Sequence, residues 1–155
     1  MIDLKLATST WDHKELDALE RVIKSGHFSM GPEVKKFEVD FSDFMGSKYG
    51  LMVNSGSSAN LLAVASLAFK SKDPLKPGDE VIVPAVSWST TYSPLQQYGL
   101  KLVFVDINPS TLNIDLDELS KAITSKTKAI FCVNLLGNPC NFEKIEEIIA
   151  IMDKI

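Results

Sequence analysis

Several residue types and motifs are scarce or missing in this chain, and each absence closes off a class of chemistry. Two cysteines are present among 155 residues. Cys132 and Cys140 flank residues 133–139, a spacing that is neither C-x-x-C nor the framework of a disulfide-held small domain, so they read as buried free thiols. The two histidines, His13 and His27, stand apart from each other and from any Cys or carboxylate at ligand spacing, which argues against a metal centre. No basic block occurs: Lys and Arg total 16 against 20 Asp and Glu, giving net charge -4, and a nucleic-acid partner is not expected. The most apolar stretch, Leu61–Phe69, is far shorter than the ~20 residues that span a membrane. The first residues carry Asp3, Asp12 and Glu15 and lack the apolar centre of a signal peptide. A cytoplasmic chain with no membrane partner is the expectation.

The motif inventory has gaps as well. No G-K-[ST] follows a glycine-rich loop, and G-x-G-x-x-G is absent, which weighs against P-loop hydrolases and dinucleotide dehydrogenases. No G-x-S-x-G elbow is present for a serine hydrolase. Hydrophobic residues at 45% and charged residues at 23% describe an ordinary globular protein with a core to bury, and the length fits one domain.

Helical spacing appears first at Asp12–Lys24, with Asp12 as a candidate N-cap and Gly26 as the stop. A second amphipathic stretch, Pro32–Phe44, places Pro32 at a first helical position and ends at Gly46. Short apolar runs then alternate with helical ones. Strands are expected at Tyr49–Val53, Glu80–Pro84, Lys101–Asp106 and Ala129–Val133. Helices are expected at Ser57–Phe69, Thr91–Tyr98, Asp115–Ile123 and Phe142–Lys154, with a surface loop at Lys70–Asp79. Such alternation predicts an α/β fold with a mostly parallel sheet flanked by helices, because parallel strands need crossover connections.

In a sheet of that kind, ligands collect where strands lead into helices. Asn54-Ser55-Gly56-Ser57-Ser58-Ala59-Asn60 can cradle an anion on unpaired N–H groups and the Ser57 and Ser58 hydroxyls, or can be a plain N-cap. Pro84-Ala85-Val86-Ser87-Trp88-Ser89-Thr90-Thr91 offers the Trp88 face to a flat ring, unless the indole packs on its own domain. In Val133-Asn134-Leu135-Leu136-Gly137-Asn138-Pro139, Asn134 or Asn138 can bond a ligand or simply form the turn.

Taken together, Phe28-Ser29-Met30-Gly31-Pro32-Glu33-Val34, N-S-G-S-S-A-N, G-D-E-V-I-V-P-A-V-S-W-S-T-T, F-V-D-I and V-N-L-L-G-N-P resemble the DegT/DnrJ/EryC1/StrS family from about Ala7 onward. The resemblance implies the aspartate aminotransferase fold (fold type I of pyridoxal-phosphate enzymes), here the N-terminal part of its large domain. It implies an N-terminal helical arm at 1–45, a partial cofactor-binding domain at 46–155, and a small C-terminal domain lying outside the sequence. Implied chemistry is removal of the C3 hydroxyl from a nucleotide-linked, preferably GDP-linked, 4-keto-6-deoxy sugar in polysaccharide biosynthesis. Pyridoxal 5'-phosphate, cycling through its pyridoxamine form, is the implied cofactor and L-glutamate the implied amino donor. The segment V-N-L-L-G-N-P, lacking the His and Gln usual in sugar aminotransferases, favours the 3-dehydratase branch over that alternative. A noncatalytic sugar-nucleotide-binding or oligomerising fragment is the third reading.

By the same resemblance, Gly56 and Ser57 hold the cofactor phosphate and Trp88 stacks on its ring. Gly26, His27, Phe28 and Ser29 lie against the sugar nucleotide, where the residues alone suggest a helix C-cap with a hydrophobic plug. The Lys or His base and the Asp that pairs with the pyridine nitrogen are expected beyond Ile155, so no catalytic residue is assigned within the chain. Self-association into a dimer or other homo-oligomer is also expected.

Overall fold

A computed structural model describes residues 8–152. They form two compact units, residues 8–52 and 53–152.

The first unit is a pair of helices. Helix α1 (His13–Ser25) begins at a reciprocal cap: Asp12 accepts from the Lys14 N–H at 2.7 Å, and the Glu15 carboxylate accepts from the Asp12 N–H at 2.8 Å. It stops at Gly26, whose φ of 68° is left-handed and suits a residue without Cβ. Helix α2 (Pro32–Met45) starts with Pro32 in its first turn and ends at Gly46. All four boundary residues are those expected from the sequence.

The strand expected at Tyr49–Val53 does not form. No ladder partner faces it among the described residues, and its backbone is used otherwise. The Met52 N–H donates to the Glu38 carboxylate at 3.0 Å, and Gly50 lies so near α2 that a Cβ there would meet the Glu38 carbonyl oxygen at 2.6 Å. An apolar run becomes a strand only where a neighbour can take its N–H and C=O groups.

The second unit carries helix α3 (Gly56–Ala68), β1 (Glu80–Pro84), α4 (Ser89–Gln97), β2 (Lys101–Val105), α5 (Leu116–Ala122), β3 (Thr127–Ile130), a 3-10 turn at Leu135–Gly137 and α6 (Phe142–Met152). The three strands make a parallel sheet ordered β2-β1-β3, with Val81 opposite Leu102 on one side and Ala129 on the other. β1 is buried along its whole length, as a central strand covered on both faces should be. Its alternating side chains divide the core. Val81 and Val83 join Val64, Leu75, Leu95 and Leu100 on the face covered by α3 and α4. Ile82 joins Val105, Ile114, Leu119, Cys140 and Ile145 on the face covered by α5 and α6. The α/β architecture with helices on both faces is as expected, with three strands instead of four.

At the amino end of the sheet, Glu80 is buried and paired. The Lys101 ammonium donates to it at 2.8 Å and the Thr124 hydroxyl at 3.2 Å, holding its carboxyl below the usual range. No helix among the described residues is long and apolar enough to cross a membrane.

Candidate functional site

All three strands run the same way, so the loops that follow them open on one side of the sheet. The start of α3 belongs to the same unit. Its cap is Ser55, whose hydroxyl oxygen accepts from the Ser58 N–H at 3.2 Å, while the first bond within the helix runs from the Ala59 N–H to the Ser55 carbonyl at 3.0 Å. Ser58 spends its own hydroxyl on the Asn54 carboxamide at 2.6 Å. The N–H groups of Gly56 and Ser57, and the exposed Ser57 hydroxyl, have no partner among the described residues.

Gly56 is informative because nothing among the described residues requires it. Its φ is not left-handed, and a Cβ added to it would meet no heavy atom within 4 Å. A glycine weakens a helix relative to alanine, so an unforced glycine at the helix start suits something that approaches from outside the chain. With two free N–H groups, a free hydroxyl and the positive end of a 13-residue helix, that approach is made for an anion.

The loop after β1 leads into α4. Trp88 is the residue before the helix and is 76% exposed, so its indole is not packed on its own unit. Its backbone is held: the Thr91 N–H donates to the Trp88 carbonyl at 2.9 Å, and the Ser87 and Thr91 hydroxyls bond each other at 2.7 Å. A large exposed ring on a fixed backbone is free to cover a flat ligand.

A link between these two helix starts was not legible in the sequence. Pro94 sits inside α4 and has no N–H for the carbonyl of Thr90 one turn back. That carbonyl accepts instead from the Asn60 side-chain amide, on α3, at 3.2 Å. The proline creates the vacancy and the asparagine fills it, tying the helix of Gly56 and Ser57 to the helix of Trp88. A carbonyl freed by a proline and paired with an amide thirty positions away is visible only once the two helices are side by side.

The loop after β3 behaves differently. The Asn134 carboxamide oxygen accepts from the Cys140 N–H at 2.9 Å, and the Asn138 amide donates to the Thr111 carbonyl at 2.6 Å. Asn134 is engaged in shaping its own turn, and Asn138 ties that turn to the segment before α5.

In the first unit, the turn after α1 lines a cleft of about 220 Å³ with His27, Phe28, Ser29, Gly31, Pro32 and neighbouring residues. The His27 N–H donates to the Ser25 hydroxyl at 3.1 Å, and its ring Nδ1 lies 3.2 Å from the Ser25 carbonyl. Phe28 is 75% exposed, which removes the reading of this turn as a hydrophobic plug. Gly26 forms the C-cap of α1. No group of three or more His, Cys, Asp or Glu side chains able to hold a metal occurs among the described residues.

A parallel α/β sheet with a helix start that keeps free N–H groups and an exposed tryptophan on the neighbouring helix is a class of domain suited to an anionic ligand with a flat ring. Comparison makes that specific: residues 9–153 match the DegT/DnrJ/EryC1/StrS aminotransferase family, and the chain belongs to it. It is 63% identical over 148 residues to a GDP-4-keto-6-deoxy-D-mannose 3-dehydratase of Yersinia pseudotuberculosis, covering 96% of this chain and 38% of that protein. A crystal structure of GDP-4-keto-6-deoxymannose-3-dehydratase with a trapped PLP-glutamate geminal diamine superposes with TM-score 0.91 at 58% identity, covering 95% of this chain and 38% of the other. A variant of such an enzyme with bound GDP-perosamine superposes with TM-score 0.89 at 59% identity, covering 93% and 37%. The chain thus spans well under half the length of the proteins it resembles.

Proposed function

We propose that this chain forms the N-terminal part of a pyridoxal-phosphate-dependent 3-dehydratase acting on a GDP-linked 4-keto-6-deoxy sugar. The observation that carries the reading is the unforced Gly56 at a helix start with two free N–H groups. The Gly56 and Ser57 N–H groups and the Ser57 hydroxyl bind the cofactor phosphate, and the helix end complements its charge. Trp88 covers one face of the ring and shields it from water. Gly26, His27, Phe28 and Ser29 form the cleft wall that meets the sugar nucleotide. When bound, the cofactor supplies an electron-accepting ring and, in its pyridoxamine form, an amine able to condense with a sugar ketone. L-Glutamate is the amino donor in this reading. Residues 1–45 serve as a helical arm and 46–155 as part of the cofactor-binding domain, in a cytoplasmic protein.

Self-association belongs to the same reading. Helix α3 is apolar around its circumference, yet Val64 is its one buried residue, with Leu61, Leu62 and Leu67 exposed. Sedimentation showing a monodisperse monomer would contradict it.

The test separates affinity from folding. Because a Cβ at position 56 meets nothing, Gly56→Ala should leave the urea midpoint unchanged or slightly raised while weakening pyridoxal-phosphate binding, followed by absorbance. Trp88→Ala should weaken the same binding about tenfold. Pyridoxal without its phosphate should bind equally poorly to the chain and to Gly56→Ala. Equal binding of pyridoxal phosphate by the chain and both variants would overturn the assignment, as would no spectral change at all.

A further inference from the structure

The two cysteines, unremarkable by spacing, meet in the fold. Cys140 is buried at the entrance to α6, in the cluster formed with Ile82, Leu119 and Ile145, and Cys132 packs against that cluster from the end of β3. The Cys140 thiol reaches the carbonyl of Val133, the residue next to Cys132, so both side chains sit in one packed cluster. The approach is held from the backbone side: the Cys140 N–H donates to the Asn134 carboxamide, and the Cys140 thiol donates to the Val133 carbonyl at 3.3 Å. Between them, residues 133–139 make a tight loop in which Leu136 carries a left-handed φ of 55°. Asn138 and Asn113 brace that loop, the latter donating to the Pro139 carbonyl at 2.8 Å.

We propose that Cys132 and Cys140 are a disulfide-forming pair that closes residues 133–139 into a covalent loop when a small-molecule disulfide such as oxidised glutathione is present. Cys132, half-buried, is the more exposed residue of the two and takes the attacking role; Cys140, buried, is the resolving thiol. The Cys132 thiolate attacks one glutathione sulfur and expels the other glutathione as a thiolate, leaving a mixed disulfide on Cys132. The Cys140 thiolate then attacks Cys132 Sγ and expels the second glutathione. Two protein thiols are oxidised, one glutathione disulfide is reduced to two glutathione thiols, and the two protein protons pass to the expelled thiolates. Two cysteines packed in one cluster, joined by a tight loop, can reach disulfide geometry by a local adjustment of that loop. Burial, followed by the neighbouring thiol, pushes Cys132 up to about 11, so the exchange at neutral pH is slow, and the pair registers sustained oxidation.

The experiment incubates the chain with oxidised glutathione at about pH 9, where the thiolate fraction is larger, and follows free thiols, intact mass and non-reducing peptide maps. Both thiols should disappear with the loss of two hydrogens, a single peptide should link Cys132 to Cys140, and dithiothreitol should restore both. Cys140→Ser should stop at a glutathione adduct on Cys132. Cys132→Ser should react far more slowly, its remaining thiol being buried. The melting temperature should rise by several degrees on closure. Persistence of the Cys132 adduct in the unsubstituted chain, disulfides between chains, survival of both thiols, or a fall in melting temperature on closure would each overturn the proposal.

Discussion

The two units of this chain are held by different means. In residues 8–52, α1 buries no residue and α2 buries Ser42, while Leu16, Leu19, Ile23, Phe37 and Phe41 are exposed. Their helices are specified by ends: Asp12 with Glu15, Gly26, Pro32 and Gly46. In residues 53–152, two apolar clusters pack on opposite faces of one sheet, and several polar groups are committed across long sequence distances. Local signals are enough to shape a helix, whereas burial requires partners from elsewhere in the sequence. Substitutions should therefore produce effects of different size and reach in the two units.

The largest effect is expected where the core is densest. Leu95→Ala removes a side chain fully enclosed between α4 and the sheet and should cost about 2–5 kcal/mol, read as a fall in the urea midpoint. A comparable loss from Leu16→Ala in the first unit would break the comparison.

Asn60→Leu should come next, at about 1–3 kcal/mol, because it leaves the Thr90 carbonyl without its donor. Adding Pro94→Ala restores an N–H within α4 and should recover a large part of that loss. If the two substitutions proved additive, the exchange of partners around Thr90 would be refuted.

Glu80 sharpens the contrast through pH. Its folded carboxyl is held low by the hydrogen bond from Lys101, with Thr124 and the Lys101 and Lys126 charges adding to it, against some desolvation. The group therefore contributes stability that is complete above the ordinary carboxylate range and is lost as pH falls through its lowered value. Glu80→Gln should flatten the acid side of a stability profile for the second unit. An unchanged profile would show that other carboxylates govern acid unfolding.

The smallest effect belongs to the first unit. Asp12→Ala should cost about 1 kcal/mol and act on α1, where amide hydrogen exchange should speed up. Exchange rising equally along β1 would show that the two units unfold together.

The helix ends could be read from the sequence because caps act within three or four residues, and β1 could be read because its centre, Val81-Ile82-Val83, is a continuous apolar run bounded by Glu80 and Pro84. Tyr49–Val53 misled because it has the composition of a buried strand, and only the backbone path shows that Glu38 takes the Met52 N–H. The anion cradle and Trp88 were readable as candidates, since glycine, serine and tryptophan at strand-to-helix junctions are chemically suggestive by type. Which of them is free was not readable: Asn134 and Asn138 turn out to be engaged, while Gly56 and Ser57 keep their N–H groups. The role of Asn60 and the meeting of Cys132 with Cys140 depend on tertiary proximity, which local pattern does not encode.

The strand order β2-β1-β3 has a consequence for how the polypeptide is made. The central strand leaves the ribosome first and waits for both neighbours to be synthesised, so Val81-Ile82-Val83 spends that interval without the ladders that later conceal it. Its flanks suit the delay. Glu80 adds a charge at one end and Pro84 removes a backbone donor at the other, the kind of gatekeeping that discourages a nascent apolar strand from pairing with another copy.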